Sequence, residues 1–309
     1  MDPVALRNKL AGAVGFPVTP FQPDLSLDLD GLRRNVRFMV QHSFCSLVAA
    51  GGTGEYYSLT SDEHRQVVEA TVQETAGKMP VIVGVGIHPH LAIEQTKAAE
   101  TAGAGGLLLL PPYYTNAHDD GLLEYYAAIA GATSLGCMIY SRDWVNLSSA
   151  MVERLVNRIP NLVALKDGQG DIRQLQRIMN RLGDRLAWIG GAGDDMVPGY
   201  YALGIRCYTS SISNIAPRLS LQLHDRAAAL DSASLQRLIT NYVMPLYNMR
   251  ARKRGYEVSV MKAAMQILGM PAGPCRAPIP AIRAEEESEL RALMERYKPV
   301  LSEFENLRS

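Results

Sequence analysis

The sequence has no excess of either charge, because 31 lysines and arginines balance 31 aspartates and glutamates. A neutral chain has no overall electrostatic attraction to nucleic acid or to an anionic membrane, so we expect neither as a partner. The sequence also lacks a long hydrophobic run: the longest, at 105–112, is far below the roughly 20 residues that cross a bilayer. Residues 1–16 lack the charged, apolar and small-residue order of a signal peptide.

Cysteine is scarce, and none of the four (Cys45, Cys137, Cys207 and Cys275) belongs to a CxxC pair. The first three fall in apolar, strand-like runs, which is typical of buried free thiols. Disulfides persist mainly in oxidising compartments. The cysteines therefore predict a reducing, cytoplasmic setting.

The chain does contain a regular alternation of short apolar runs and longer amphipathic segments, from residue 11 to about residue 230. Each run is continuously apolar, as expected for parallel strands that are covered on both faces. Among the segments between them, 61–76 has helical spacing of its valines and follows a capping sequence, Thr60 to Glu63. The eight runs occupy 11–18, 44–52, 80–86, 104–112, 136–141, 161–168, 186–191 and 205–211.

Eight strand–helix units of this length predict an α/β fold, a (β/α)8 TIM barrel spanning residues 1–230. The alternative is a doubly wound open sheet, which usually has a glycine-rich phosphate turn after its first strand. Here that position carries the prolines of Phe16-Pro17-Val18-Thr19-Pro20, so the barrel is favoured. The remaining residues, 231–309, predict a C-terminal helical extension packed on the barrel, with helices at 232–250, 255–270 and 286–307.

Lys166 is the one lysine of seven that lies at the downstream end of a predicted strand. Active sites of such barrels lie at that end of the strands. A lysine inside the barrel mouth is costly when charged, so burial should lower its pKa and favour the nucleophilic neutral amine. The alternative is an ion pair with Asp167.

Two further features lie at the downstream ends of other strands. Tyr140 ends the fifth run, one strand before Lys166, and can carry protons for a reacting amine; the alternative is an ordinary core tyrosine. The turn Gly51-Gly52-Thr53-Gly54-Glu55 follows the second run and can hold a carboxylate with its N–H groups; the alternative is a tight connection to the next helix.

A metal site is a weaker interpretation. His88-Pro89-His90 has the HxH spacing of a zinc pair, but the other histidines fall in helix-like or loop-like segments, so we expect no metal. The glycine-rich stretch 190–193 after the seventh run could bind phosphate, as barrels often do there.

These markers together resemble the dihydrodipicolinate synthase and N-acetylneuraminate lyase superfamily of Schiff-base barrels. The resemblance runs from 16–21 to the C-terminal helices. Its markers are GGTGE at 51–55, PPYY at 111–114, Tyr140 and LKDG at 165–168.

Within the superfamily, five stretches resemble the 5-dehydro-4-deoxyglucarate dehydratases: 51–60, 140–143, 166–171, 208–214 and 252–263. Dihydrodipicolinate synthases usually have paired threonines where this chain has Gly52-Thr53. They also place an arginine further past the tyrosine than Arg142 lies from Tyr140.

The resemblance implies roles for individual residues. Lys166 would form the Schiff base and Tyr140 would carry protons. Gly52 and Thr53 would hold the carboxylate of the keto acid. Arg142 would bind the distal carboxylate of a six-carbon diacid, and Ser210 and Ser211 would bind substrate hydroxyls or a carboxylate. Gly191 would contact the sugar-acid substrate. Tyr113 or Tyr114 would reach toward a neighbouring subunit's site. Alternatives are a rim salt bridge between Arg142 and Asp143, and helix capping by the two serines.

The resemblance also implies an activity: conversion of 5-dehydro-4-deoxy-D-glucarate to 2,5-dioxopentanoate, CO₂ and water, with no metal or organic cofactor. The partner would be a small molecule, a 2-keto-3-deoxy sugar diacid. Homo-oligomers, dimers or tetramers, are implied as well. Two alternatives stay open: a class I aldolase of a 2-keto-3-deoxy sugar acid, and a barrel that binds a keto acid without turning it over.

Overall fold

Eight parallel strands close into one barrel, because each strand pairs with the next and the eighth pairs with the first. The structure is a computed structural model that describes residues 1–301. Each strand coincides with one of the eight apolar runs, so the predicted (β/α)8 barrel is confirmed. The strands are β1 (Gly12–Gly15), β2 (Ser46–Ala49), β3 (Val81–Ile87), β4 (Gly106–Pro112), β5 (Gly136–Ser141), β6 (Leu162–Asp167), β7 (Ala187–Gly190) and β8 (Cys207–Ser210).

Helices follow the strands around the barrel and continue beyond it. They are α1 (Pro3–Lys9), α2 (Leu29–Val40), α3 (Ser61–Thr75), α4 (Pro89–Thr101), α5 (Asp119–Ala130), α6 (Ser149–Arg158), α7 (Ile172–Leu182), α8 (Val197–Ala202), α9 (Pro217–Ala228), α10 (Ser232–Leu238), α11 (Met244–Arg250), α12 (Tyr256–Ile267) and α13 (Ala284–Leu301). The predicted cap of α3 is confirmed: the Thr60 hydroxyl accepts the Glu63 N–H, and the Glu63 carboxylate accepts the Thr60 N–H. No helix within residues 1–301 is long and apolar enough to cross a membrane.

The N-terminal end of the barrel is filled by α1. Its Leu6 is fully buried and packs against Gly106 and Gly136, the first residues of β4 and β5. A Cβ atom on Gly106 would lie 2.4 Å from Leu6 Cδ2, so no larger residue fits there without a shift. The opposite end of the barrel, where the strands finish, contains a cavity.

The helices after β8 pack on the barrel. Their buried residues, among them Leu246, Met261 and Tyr297, belong to the same apolar core as Phe16 and Tyr140 of the barrel mouth. This packing places side chains of α11 and α12 in the wall of the cavity. The division at residue 230 into a barrel and an extension stays a prediction.

The predicted continuous helix at 232–250 is wrong in one detail. A π-helical turn, Ile239–Val243, separates α10 from α11. The reason is Pro245, which has no N–H to donate to Asn241 and so interrupts the regular α-helical hydrogen bonds. The predicted helices at 255–270 and 286–307 correspond to α12 and α13, and residues 302–307 lie outside the described range.

Candidate active site

A cavity of about 650 Å³ lies at the carboxyl ends of the strands. It contains nine of the ten residues that the sequence predicted for the site, and only Tyr114 is outside it. The nine are Gly52, Thr53, Tyr113, Tyr140, Arg142, Lys166, Gly191, Ser210 and Ser211.

Lys166 lies on β6 directly opposite Tyr140 on β5. Its side chain is buried, and Nζ lies 3.5 Å from the centroid of the Tyr140 ring and 4.6 Å from that of Phe16. Within residues 1–301, no carboxylate forms an ion pair with this amine. Burial, reinforced by the positive charge of Arg142, holds the pKa of Lys166 well below its ordinary value, and Asp167 opposes this only in part.

The neighbouring Asp167 does not pair with Lys166. Its carboxylate accepts the Tyr200 hydroxyl at 2.8 Å and the N–H groups of Gln169 and Gly170 at 3.1 and 3.2 Å. These three donors occupy the carboxylate on the far side of β6. The ion-pair alternative for Lys166 is therefore not formed.

Lys262 on α12 offers a contrast, because it is buried as deeply as Lys166 but has a carboxylate partner. Its ammonium contacts Glu55 as an ion pair and donates to the Pro274 carbonyl at 2.9 Å. Burial lowers the pKa of Lys262 as well, but here Glu55 opposes the shift. Glu55 thus stabilises the charged form of Lys262, whereas a charged Lys166 would have no carboxylate partner in the described chain.

Tyr140 is buried beside the amine, with its ring rather than its hydroxyl over Nζ. The hydroxyl lies 3.5 Å from the carbonyl oxygen of Gly191. Burial raises the pKa of Tyr140, although Arg142 acts in the opposite direction. The phenol is therefore held in its protonated, donating form.

Two glycines give the amine and the phenol their space. A Cβ atom on Gly191 would lie 2.6 Å from both Cε and Cγ of Lys166, and one on Gly168 would lie 2.5 Å from Cε2 of Tyr140. Real Cβ contacts are not this short, so larger residues would displace the side chains that line the cavity. Gly168 was present in the LKDG marker but was not predicted as a site residue.

The turn after β2 presents open backbone donors to the cavity. Within the described chain, neither the Gly52 N–H nor the Thr53 N–H has an acceptor. The turn is tied down instead at Gly54, whose carbonyl accepts the Thr19 hydroxyl at 2.7 Å, and at Glu55 through its buried carboxylate. Such a pair of N–H groups can hold a carboxylate.

Arg142 lies next to this turn. A Cβ atom on Gly52 would be 3.0 Å from Arg142 Nη1, and the guanidinium carbon is 5.7 Å from the Tyr140 ring centroid. The predicted alternative is also present, because Arg142 Nε lies 3.3 Å from the Asp143 carboxylate at the exposed rim. Arg142 thus combines a rim ion pair with a position beside the turn after β2.

The two serines after β8 have different surroundings. The Ser210 hydroxyl is fully buried, hydrogen-bonds to that of Ser220 at 2.7 Å and accepts the Ser213 N–H at 3.1 Å, which is a capping arrangement. The Ser211 hydroxyl instead accepts from Arg250 at 2.7 Å. Ser211 therefore faces the cavity together with a cation that the sequence did not reveal.

Arg250 and Tyr247 were missed because they lie on α11, after the last strand, where the strand-end rule gives no signal. Tyr247 donates to the buried carboxylate of Asp194 at 2.7 Å and accepts the Asp194 N–H at the same distance. The guanidinium carbon of Arg250 lies 4.2 Å from the centroid of the Tyr247 ring. Only the packing of α11 on the barrel brings these side chains to β8.

The remaining predicted residues lie at the rim. Tyr113 is 83% exposed and borders the cavity, whereas Tyr114 is 65% exposed and points elsewhere. His88 and His90 are exposed at the start of α4, with ring centroids 6.3 Å apart. Among residues 1–301, no three His, Cys, Asp or Glu side chains form a group that could ligate a metal ion.

Unusual backbone conformations surround the barrel mouth. Four non-glycine residues there have a positive φ: Ala50, Glu55, Ile87 and Asp143, at 50°, 54°, 66° and 54°. The β-branched Ile87 is the least suited to this conformation. Such strain persists only where surrounding contacts over-determine it, and it is frequent at functional sites.

Comparison with known proteins agrees with this geometry. The model of the dihydrodipicolinate synthetase family matches residues 9–297. A protein of Ralstonia nicotianae named "Probable 5-dehydro-4-deoxyglucarate dehydratase" is 42% identical over 291 residues, which cover 94% of each chain. A protein of the same name from Rhodococcus opacus is 41% identical over 298 residues, covering 96% of this chain and 98% of the relative.

Solved structures show the same fold at lower identity. Dihydrodipicolinate synthase from Oceanobacillus iheyensis is similar with a TM-score of 0.91 and 27% identity, covering 96% of this chain and all of that chain. The enzyme from Bacillus clausii is similar with a TM-score of 0.90 and 26% identity, covering 95% and 99%. The chain belongs to the dihydrodipicolinate synthetase family.

Proposed function

We propose that this protein is a decarboxylating hydro-lyase that converts 5-dehydro-4-deoxy-D-glucarate to 2,5-dioxopentanoate, CO₂ and water through a Schiff base on Lys166. The observation that carries the proposal is the buried Lys166 amine, which lies 3.5 Å from the Tyr140 ring centroid and has no carboxylate partner in the described chain. The relatives named as dehydratases, at about 40% identity over nearly the whole chain, support the choice of reaction.

The first step is attack of Lys166 Nζ on the C5 ketone of the substrate. Loss of water from the carbinolamine then gives an iminium ion. The lowered pKa of Lys166 favours the uncharged amine that this attack requires. The iminium is the electron sink for all later steps, so the proposal needs no metal or organic cofactor.

Elimination and decarboxylation both use the iminium ion as the electron sink. Removal of a C4 proton gives an enamine, which expels the C3 hydroxyl as water and becomes a conjugated iminium. The C1 carboxylate then leaves as CO₂, and its bonding electrons enter the conjugated system. Protonation, tautomerisation of the resulting enol at C2 and hydrolysis of the imine release 2,5-dioxopentanoate and restore the lysine. One CO₂ and one water are lost overall.

Tyr140 is the proton carrier in this proposal. Its raised pKa keeps the phenol protonated, so it can donate to the leaving oxygen of the carbinolamine or of C3. The Gly52 and Thr53 N–H groups hold the carboxylate next to the ketone, because they have no acceptor within residues 1–301. Gly191 leaves room for Lys166, and its carbonyl faces the Tyr140 hydroxyl.

The proposal also covers the setting and assembly of the protein. We propose a cytoplasmic homo-oligomer, a dimer or tetramer, because the scattered cysteines favour a reducing compartment and two consecutive tyrosines are exposed, Tyr113 at the border of the cavity and Tyr114 outside it. Exposed tyrosines of this kind are frequent anchors in protein interfaces.

Product analysis tests the reaction. Purified protein is incubated with 5-dehydro-4-deoxy-D-glucarate and, separately, with 2-keto-3-deoxy sugar monoacids, and CO₂, semialdehyde and pyruvate are measured. The proposal predicts equal amounts of CO₂ and 2,5-dioxopentanoate from the diacid. Release of pyruvate from a monoacid, with no CO₂ from the diacid, would establish the aldolase instead. Tight binding without any product would establish a keto-acid-binding barrel.

A further inference from the structure

Arg250 is a cation in the cavity wall that the mechanism above leaves unused. It is the last residue of α11, and its Nη1 donates to the Ser211 hydroxyl at 2.7 Å. Its guanidinium carbon lies 4.2 Å from the centroid of the Tyr247 ring, and the Tyr247 hydroxyl is anchored in turn on Asp194. The guanidinium is therefore fixed in position before any ligand arrives.

This guanidinium has N–H donors that are not used within the described chain. Within residues 1–301, no carboxylate forms an ion pair with it, and its buried Nε–H has no acceptor. The Asp194 carboxylate accepts from Ser211 and Tyr247 on Oδ2, its buried Oδ1 has no hydrogen-bond partner among the described residues, and it forms no ion pair with Arg250. A fixed guanidinium with free N–H groups in a cavity matches the two oxygens of a carboxylate.

The position of Arg142 makes a second cation necessary. Arg142 lies beside Gly52, in the turn that we assign to the carboxylate next to the ketone. A six-carbon keto diacid has its other carboxylate four carbons beyond the ketone, so that group needs a different partner. Arg250 lines the same cavity on the β8 side, and β1 lies between β8 and the strand that precedes the Gly52 turn.

We propose that Arg250, supported by Ser211, binds the second carboxylate of the substrate, the one that leaves as CO₂. This inference rests on the proposed function and moves the distal carboxylate from Arg142, where the family resemblance put it, to α11. It makes Arg250 the residue that selects diacids over monoacids. By fixing the carboxylate, Arg250 also orients the C1–C2 bond relative to the conjugated iminium.

Binding of a matched pair of ligands tests this role without requiring turnover. The probe is 2-oxoadipate, which has the carbon skeleton and both carboxylates of the substrate, and its counterpart is 2-oxohexanoate, which lacks the second carboxylate. Dissociation constants are measured by calorimetry for the unmodified protein and for Arg250→Leu, Arg250→Lys and Arg142→Leu. Thermal unfolding confirms that each variant is folded.

Arg250→Leu should raise the dissociation constant of 2-oxoadipate by about 10²-fold, as expected for lost charge-assisted hydrogen bonds. The dissociation constant of 2-oxohexanoate should change by no more than about twofold. Arg250→Lys keeps the charge but loses the fork, so it should restore part of the diacid preference, and it replaces the leucine variant if that one does not fold. Arg142→Leu should weaken both ligands alike.

The proposal is overturned if Arg250→Leu affects both ligands equally or neither, or if the diacid preference is lost in Arg142→Leu instead. A failure of the dehydratase proposal is seen separately, as absence of CO₂ from the glucarate-derived substrate. The binding comparison keeps its meaning in that case, because it depends only on the two ligands.

Discussion

Of the seven lysines, Lys166 and Lys262 are buried, and they show two ways of keeping a lysine out of water. Lys262 has Glu55 as a partner, whereas Lys166 has aromatic rings and no carboxylate within the described residues. Burying an unpaired ammonium costs several kcal/mol, and deprotonation relieves that cost. At the scale of single residues, the burial that lowers the pKa of Lys166 is thus linked to a loss of stability.

Replacing Lys166 with methionine should therefore stabilise the protein at pH 7. Because the native pKa of Lys166 is lowered, the unfolded chain binds more protons than the native one at pH values between that lowered pKa and about 10.4, the ordinary lysine value. The unmodified protein should gain stability as the pH rises toward that value, by at most about 1.4 kcal/mol per pH unit for one proton. Urea unfolding of both proteins from pH 6 to 10 measures this. The advantage of Lys166→Met should shrink with rising pH, and a constant difference would contradict the account.

A second residue-scale prediction concerns Gly191. In Gly191→Ala the new Cβ would lie 2.6 Å from Lys166 Cε and 2.5 Å from the Asp167 carbonyl oxygen, so the lysine must move. A displacement of about 1 Å can cost about 10²-fold in kcat, and we expect a loss of that order. Steady-state kinetics of CO₂ release measures it. Gly121→Ala on α5 is the control, because nothing lies within 4 Å of its Cβ position, and it should keep the original rate.

At the scale of elements, α12 helps to fix the conformation of the turn after β2. Lys262 on α12 pairs with Glu55, and Glu55 also accepts the Arg276 N–H at 2.9 Å, so two C-terminal segments meet at the GGTGE turn. Glu55 has a φ of 54°, a conformation that a residue with a side chain keeps only when contacts enforce it. Contacts from Lys262 and Arg276 thus hold the turn after β2 in its conformation.

Lys262→Met should lower the free energy of unfolding by about 3–5 kcal/mol, because it leaves Glu55 buried and unpaired. It should also raise the KM for substrate, since the turn loses its anchor. Urea denaturation and steady-state kinetics measure the two effects. Lys298→Met is the control: Lys298 pairs with Glu295 on an exposed face of α13, and its loss should cost about 1 kcal/mol or less. Equal costs for the two variants would rule out the role assigned to Lys262.

At the scale of the whole molecule, the fold was predictable because eight continuously apolar runs separated by helix-like segments admit few arrangements. The position of Lys166 at a strand end was enough to place it in the cavity, and the positions of Tyr140, Gly52 and Thr53 followed from the ends of β5 and β2. Those predictions needed only the order of elements along the chain.

Arg250 could not be predicted in the same way. It reaches the cavity because α11 brings it against Ser211, the residue after β8, a contact between segments about 40 residues apart that no local pattern encodes. The π-helical turn at Ile239–Val243 was not predicted, because a proline in the first turn of a helix is usually compatible with the α-helix. The predicted helix 232–250 was therefore continued across Pro245. The sequence therefore did not predict the part of the site that depends on tertiary packing.

The most direct test of the account is covalent trapping at Lys166. The protein is treated with borohydride in the presence and absence of substrate, digested, and analysed by mass spectrometry. The account predicts a fixed added mass on the peptide that contains Lys166, only when substrate is present, and no adduct or turnover in Lys166→Ala. An adduct on another lysine, or full turnover by Lys166→Ala, would contradict it.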